Sequence, residues 1–446
     1  MFNYKNKISM KNIFLLVIAA LIMTSCQNDD SSDASFSIKT ASADYSGYPA
    51  VVQTVSGDIT TNTTWTSDKV WEINGVLRVK SGATLTIQAG TFIKAKPLAS
   101  GVAQGVLVIT KTGKINAQGT INSPIIFTSY NLLDGNASTT AVPGDFGGVI
   151  VLGDDQTNTG STTDIVEGLG DQPNVSDFYY GGANAAHNGG TITYVRIEFA
   201  GRILDWTNGV EINGLTFGGV GASTTVNHVQ VSYSLDDSFE FFGGRVNASH
   251  LVSFAPQDDN FDFDLGYTGT ITKAIALADI NSLHAYNGTA PNLVPDSNGI
   301  ELDNNAIGRS TTLITRPVIS QMSIIGVSNP TSANLYEKGI HVRRLGQINF
   351  RDVTVTGYNH GIVWESPSVS SASLWSAVSI HGYVNPVLPT TTVLGFGNVS
   401  STVNPGHKWS LTQPFFNDGP LDFTGATGAF KTEALWTNNW TKFVNF

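Results

Sequence analysis

A chain that reads "HVQVSYSLDDSFEFFGG" from His228 and, 22 residues later, "HLVSFAPQDDNFDFDLG" from His250 is confined to a small set of folds. The two strings align without a gap, matching Asp236 with Asp258, Asp237 with Asp259, Phe239 with Phe261 and Phe241 with Phe263. Self-similarity at a short fixed period marks a unit that cannot bury its apolar face alone and must stack on copies of itself. The register continues through "NGIELDNN" (Asn298 to Asn305), "KGIHVRRLG" (Lys338 to Gly346) and "HGIVWES" (His360 to Ser366). In every copy apolar residues alternate: Phe239 and Phe241, Phe261 and Phe263, Ile300 and Leu302, Ile340 and Val342, Ile362 and Trp364. A period of two is a strand with one buried face.

The step to Ile300 is longer, so that coil carries an insertion, for which "DINSLHAYNGTAPNLVPDSN" (Asp279 to Asn298) is the candidate surface loop. The first half repeats more loosely, with "GVLRVKSGATLTIQAGT" from Gly75, "GVLVITKTGKINAQGT" from Gly105 and "GGVIVLGDD" from Gly147, each a buried strand closed by a glycine turn. Glycine at 46 residues and charge at only 13% fit short strands joined by tight turns. Propeller blades need about 40 to 45 residues each, whereas coils near 22 residues predict an all-β, right-handed parallel β-helix. We expect an N-terminal cap, a helix over 46–385 and an aromatic C-terminal capping segment over 386–446.

The first residues predict export. Lys5, Lys7 and Lys11 precede the apolar run Ile13 to Met23, which is too short to span a bilayer. It ends in "LIMTSC", whose cysteine is the only one in the chain and resembles the acylated cysteine of a bacterial lipobox. Residues 1–25 then form a removable lipoprotein signal, and Cys26 becomes the lipidated N-terminus. The following "QNDDSSDAS" is too poor in apolar residues to fold, so 26–45 reads as an acidic flexible tether. Acids directly after a lipidated cysteine resemble an export signal for the cell surface. Loss of the three signal lysines takes the net charge from −11 to −14, which excludes nucleic acid as a partner.

The strings "TWTSDKVWEINGVLRVKSGATLTIQAGTFIK" (Thr64 to Lys94), "PGDFGGVIVLGD" (Pro143 to Asp154), "YVRIEFAG" (Tyr194 to Gly201), "EINGLTFGGVG" (Glu211 to Gly221), the DDSFEFFGG stretch and "GATGAFKTEALWTNNWTKF" (Gly425 to Phe443) carry a family resemblance across nearly the whole mature chain. It resembles surface lipoproteins of the right-handed parallel β-helix, pectin-lyase-like kind common in Bacteroidota. That resemblance implies a fold and no established activity.

In a parallel stack, equivalent residues of successive coils lie roughly 4.8 Å apart. With the alternating apolar rows inside, one outward row reads Glu240, Asp262, Glu301, His341, Val363 and the next Phe242, Asp264, Asp303, Arg343, Glu365. Carboxylates so spaced repel one another unless some stay protonated, Arg343 and His341 neutralise one end, or a hard cation such as Ca2+ bridges them. The metal set would be Glu240, Asp262, Asp264, Glu301 and Asp303. A polysaccharide lyase or glycoside hydrolase would instead use Arg343, His341, Asp262, Asp264 and Asp303. The ladder lacks the broad cationic surface that a polyanionic substrate needs.

Other features have simpler readings. One Asp of each pair, Asp236/Asp237 and Asp258/Asp259, suits a turn cap; His228 and His250 suit stacked turn residues. Trp206, Trp364, Trp375, Trp409, Trp436 and Trp440 could offer aromatic platforms for sugars, though the last two suit closure of the open helix end. No phosphate loop, zinc spacing, nucleophile elbow or organic-cofactor signature is present. The expectation is a non-catalytic binding or scaffold lipoprotein on the outer face of the outer membrane. Its partner would be an extracellular glycan or an outer-membrane β-barrel or transporter complex.

Overall fold

The computed structural model describes residues 45–97, 105–201, 203–205, 210–279, 286–287, 294–305, 312–327, 336–365, 368, 370–392, 395, 397–403, 428–433 and 436–443, with backbone alone within 202–211 and 280–295. Cys26, all of the tether except Tyr45, most of the Asp279 to Asn298 loop, Trp206 and Trp409 lie outside the described residues.

Parallel pairing dominates. Strands from successive coils join a 15-stranded sheet that begins at Val52–Val55 and an 11-stranded sheet that begins at Asp58–Ile59. The register in the smaller sheet pairs Phe239 with Phe261, Ile300 with Ile340 and Ile340 with Ile362, as the sequence rows require. Two steps carry excursions, from Asp262 to Glu301 and from Glu301 to His341, so 22 residues is the bare coil and many coils exceed it. The result is a right-handed parallel β-helix. Among the described residues no helix is long and apolar enough to cross a membrane.

The larger sheet turns a corner within its strands. In Thr225–Ser232, Asn247–Phe254, Thr270–Leu277, Val318–Ile325 and Asn349–Thr356 the fourth residue is left-handed: His228, His250, Lys273, Gln321 and Asp352 have φ between 53° and 57°. This conformation costs a non-glycine residue on the order of 1 kcal/mol. Each corner stacks on the corner below, so the parallel ladder resumes on the far side, where four consecutive residues are buried in every one of these strands but Asn349–Thr356. His228 and His250 therefore bend strands rather than open them. Their rings stack at 4.2 Å, and Tyr194 continues the column at 4.3 Å from His228.

The interior is a set of aromatic ladders. Phe239 stacks on Phe261 at 5.0 Å, and Phe217, Phe241 and Phe263 form a second column at 5.2 and 5.1 Å. A second apolar cluster lies outside the helix. Val106–Ile109 and Gly148–Leu152 are buried on both faces, because Val166, Leu169, Phe178 and Tyr180 of an excursion fold back over their outer sides. Arg245 ties this excursion to the stack by two bonds to Asp155, of 2.7 and 3.1 Å.

Two terminal expectations need correction. The described aromatic segment does not close the helix end: it runs along the flank. Lys431 bonds Asp352, Trp436 and Trp440 pack edge-on against His250 and His228 at 5.1 and 5.4 Å, and Gln230 exchanges bonds of 2.7 and 2.8 Å with Lys442. The column of corner rings offers these indoles a ready apolar surface, which the sequence rows could not reveal. The stack also continues past residue 385, since Asn385–Leu388 and Val399–Ser401 pair in parallel with earlier coils. At the other end Val52–Val55 is exposed at three of four positions, so the described residues supply a first coil and no cover over it.

Candidate functional site

The outer face of the smaller sheet carries the acids. Glu240 pairs with Asp262, Asp262 with Glu301 and Glu301 with His341, so the four stand in one outward row. Thr216 precedes them and Val363 follows. In the neighbouring row Phe242 pairs with Asp264. This face is not open to solvent. The excursion that covers Ile150 and Leu152 also brings Glu167 and Tyr180 alongside, and Phe242 stacks on Tyr180 at 6.1 Å. A pocket of about 380 Å³ results, lined by eleven carboxylates and only two cationic side chains, Arg343 and Arg344.

Backbone needs account for part of this acid. Asn213 Oδ1 accepts the Asp237 N–H at 3.1 Å, Asp237 Oδ1 accepts the Asp259 N–H at 2.8 Å, and Asp259 Oδ1 accepts the Asn298 N–H at 2.5 Å. These turn side chains link each coil to the next, as turn chemistry predicts for one Asp of each pair. All four aspartates, Asp236, Asp237, Asp258 and Asp259, line the pocket.

The five proposed metal ligands separate into two groups. Glu240 and Asp262 converge with Asp237, offering one oxygen each within 4.8 Å of one another. Asp262 Oδ1 is buried and accepts no hydrogen bond, whereas Asp264 Oδ1 accepts the Leu265 N–H at 2.6 Å. At the other end Asp303 is held by Arg343 at 2.9 and 2.8 Å and also by Arg344, and Arg343 reaches Glu301 Oε1. Asp303 is thus committed to guanidinium groups and does not join the Asp237, Glu240, Asp262 group.

Protonation follows burial. Burial first, then neighbouring carboxylates, pushes Asp237, Glu240 and Asp262 well above the carboxylate range. Burial raises Asp264 to about 7, and raises Glu301 to about 8 although Arg343 opposes it. Burial lowers His341 to about 4, leaving a neutral imidazole near pH 7. Arg343 moves the other way: the Asp303 hydrogen bonds and the charges of Glu301 and Asp303 raise it despite burial. It is a poor candidate for a base.

The aromatic platforms fare differently from expectation. Trp364, Trp436 and Trp440 are buried, and Trp375 is half-buried, edge-on to Trp364 at 5.2 Å. Sequence rows alone missed Asp237 and Glu167 as walls of the site and Tyr180 as the ring behind Phe242. Asp237 looked like a turn residue, and the other two arrive on an excursion whose path no repeat dictates.

These features define a right-handed parallel β-helix with a sheltered acidic pocket on one outer face. The chain matches the pectate-lyase like beta helix domain over residues 57–441 and belongs to that family. No curated protein matches it. Among solved structures, the Dettilon tailspike protein aligns with 76% of this chain and 60% of its own length, at 10% identity and a TM-score of 0.27.

Proposed function

We propose that this chain is a lipid-anchored β-helix that binds rather than cleaves, using a hard divalent cation in the acidic pocket to engage an extracellular glycan at the outer membrane. The observation that carries this reading is the convergence of Asp237, Glu240 and Asp262 within 4.8 Å, with Asp262 Oδ1 buried and lacking any hydrogen-bond donor. Oxygen ligands, sheltered and short of positive charge, suit Ca2+. A bound ion would offset like charges that protons otherwise neutralise, and its open coordination positions would accept sugar hydroxyls or carboxylates. An outer-membrane β-barrel or transporter complex is the alternative partner, since a rigid stack presents a long, invariant side to either.

Calorimetric titration of the mature chain tests the cation: Ca2+ should bind, and Asp262→Asn with Glu240→Gln should abolish it. No heat of binding from the unaltered chain would sink the reading. A glycan panel probed with Ca2+ and with a chelator should give contacts only in the first condition. Anchorage has its own check. Cys26→Ser should move the protein from the membrane to the soluble fraction, still folded; retention on the membrane after a salt wash would place the anchor elsewhere.

A hydrolase on the same face is the second reading, favoured by one observation. At neutral pH Glu301, near 8, is mostly protonated and Asp264, near 7, about half protonated, and the protonated state is the one a general acid needs. Chain scission of a neutral polysaccharide, lost in Asp264→Asn, would promote it over binding.

A further inference from the structure

The pocket has a second end whose chemistry is not that of a Ca2+ site. His341 is 3% exposed, on the strand Lys338–Val342. Its Nε2 is hydrogen-bonded to Glu365 Oε2 at 2.8 Å. Its Nδ1 is buried and has no hydrogen-bond partner; it faces Glu301 Oε2, 3.8 Å away. Glu301 is divided between two neighbours: Arg343 takes Oε1, and Oε2 is the oxygen turned to the imidazole. Asp296 contributes a third donor, its ligand atom within 4.8 Å of the other two, and Lys338 lies 3.0 Å from its Oδ1.

A buried imidazole nitrogen without a donor costs desolvation that nothing in the fold returns. Its ring is also oriented for a ligand. An imidazole whose far nitrogen donates to a carboxylate has its tautomer fixed, with the lone pair on the near nitrogen, which is the usual outer support of a metal-bound histidine. Glu365 supplies that support from the next coil, where its backbone N–H bonds Val342 O at 2.9 Å. One nitrogen and two carboxylate oxygens, on a wall of the cavity that Asp296 and Glu301 line, suit a borderline ion such as Zn2+ better than a hard one.

We infer that Asp296, Glu301 and His341 form a second metal site, for a first-row divalent transition ion of the Zn2+ class, with Glu365 holding the histidine. Ca2+, which takes oxygen ligands, belongs at the Asp237, Glu240 and Asp262 end, so the two sites take different ions and answer to different substitutions. Lys338 and Arg343 already neutralise part of the two carboxylates. An ion here completes the nitrogen rather than cancelling the whole pocket charge.

The mature chain with Cys26 replaced by Ser, stripped with a chelator, is titrated with ZnCl2 in the presence of excess CaCl2. One Zn2+ per chain should bind, and Co2+ added in its place should give the intense visible absorption of a low-coordinate site with a nitrogen ligand. Glu365 is 59% exposed at its side chain, so Glu365→Gln folds normally and should weaken Zn2+ binding by about 10- to 100-fold. His341→Gln should abolish it. Glu240→Gln should leave Zn2+ binding unchanged while removing Ca2+ binding, which separates failure of this site from failure of the Ca2+ reading. Absence of Zn2+ binding in the unaltered chain, or undiminished binding in both Glu365→Gln and His341→Gln, would overturn the inference.

Discussion

Phe241→Ala and Phe263→Ala are each expected to lower the free energy of unfolding by about 3 to 5 kcal/mol, measured by denaturant titration. Both rings are fully buried. Phe241 contacts Phe217 at 5.2 Å, Phe263 at 5.1 Å and Tyr267 at 4.7 Å, so its removal opens a cavity that three neighbouring aromatics cannot collapse to fill. Phe242, one residue on, points outward, is half-buried and stacks on Tyr180 at 6.1 Å. Its replacement by alanine should cost clearly less. Stability in a solenoid is close to a sum over neighbouring coils, so a cavity in the middle of the column should also broaden the unfolding transition. Equal losses at Phe241 and Phe242 would contradict the inward and outward assignment on which the pocket depends.

In chelator, thermal stability should hold roughly level between about pH 4.5 and 6.5 and fall as pH rises above that. The alkaline limb comes from acids whose folded affinity for protons is raised. Asp264, at about 7 against an ordinary 3.8, and Glu301, at about 8 against 4.5, stabilise the fold fully at low pH, and that contribution is lost progressively from about pH 4 upward until it is gone by 7 to 8. Below about pH 6.5 histidines offset that loss. His228 and His341, lowered to about 4 from 6.5, are stabilising above 6.5 and lose that contribution as pH falls toward 4. Each tenfold change in proton affinity corresponds to about 1.4 kcal/mol, so the alkaline loss amounts to several kcal/mol. Asp237, Glu240 and Asp262, raised by burial and then by neighbouring carboxylates, add to this limb, and Ca2+ should reduce their share because the ion replaces their protons. Asp262→Asn with Glu240→Gln should reduce the same share without the ion. A melting temperature in chelator that climbs steadily from pH 6 to pH 9 would show that the pocket acids are not strained by their charge.

Asp303→Asn would be a poor probe of the same question. Its carboxylate holds Arg343 and Arg344, so the change takes an anionic partner from two guanidinium groups instead of relieving repulsion. Sequence rows grouped Asp303 with Asp264 because the two share a register position. The rows say where a side chain starts, not which partner reaches it first, and arginine's long fork reaches across coils.

The family strings and the two-residue alternation determined the β-helix, the inner rows Phe239, Phe261, Ile300, Ile340, Ile362 and Phe241, Phe263, Leu302, Val342, Trp364, and the outward row from Glu240 to His341. All of these follow from a period and an offset, and parallel stacking converts offsets into neighbours without further information. Tertiary structure alone decided the rest. The left-handed corners fall on Tyr194, His228, His250, Lys273, Gln321 and Asp352, residue types with no shared preference for that conformation, because each corner is held by its neighbours in the stack and not by its own side chain. The covering excursion, the flank path of Trp436 and Trp440, and the split of the acids between arginine, histidine and one another all depend on segments that leave the repeat, and a repeat cannot say where its exceptions land.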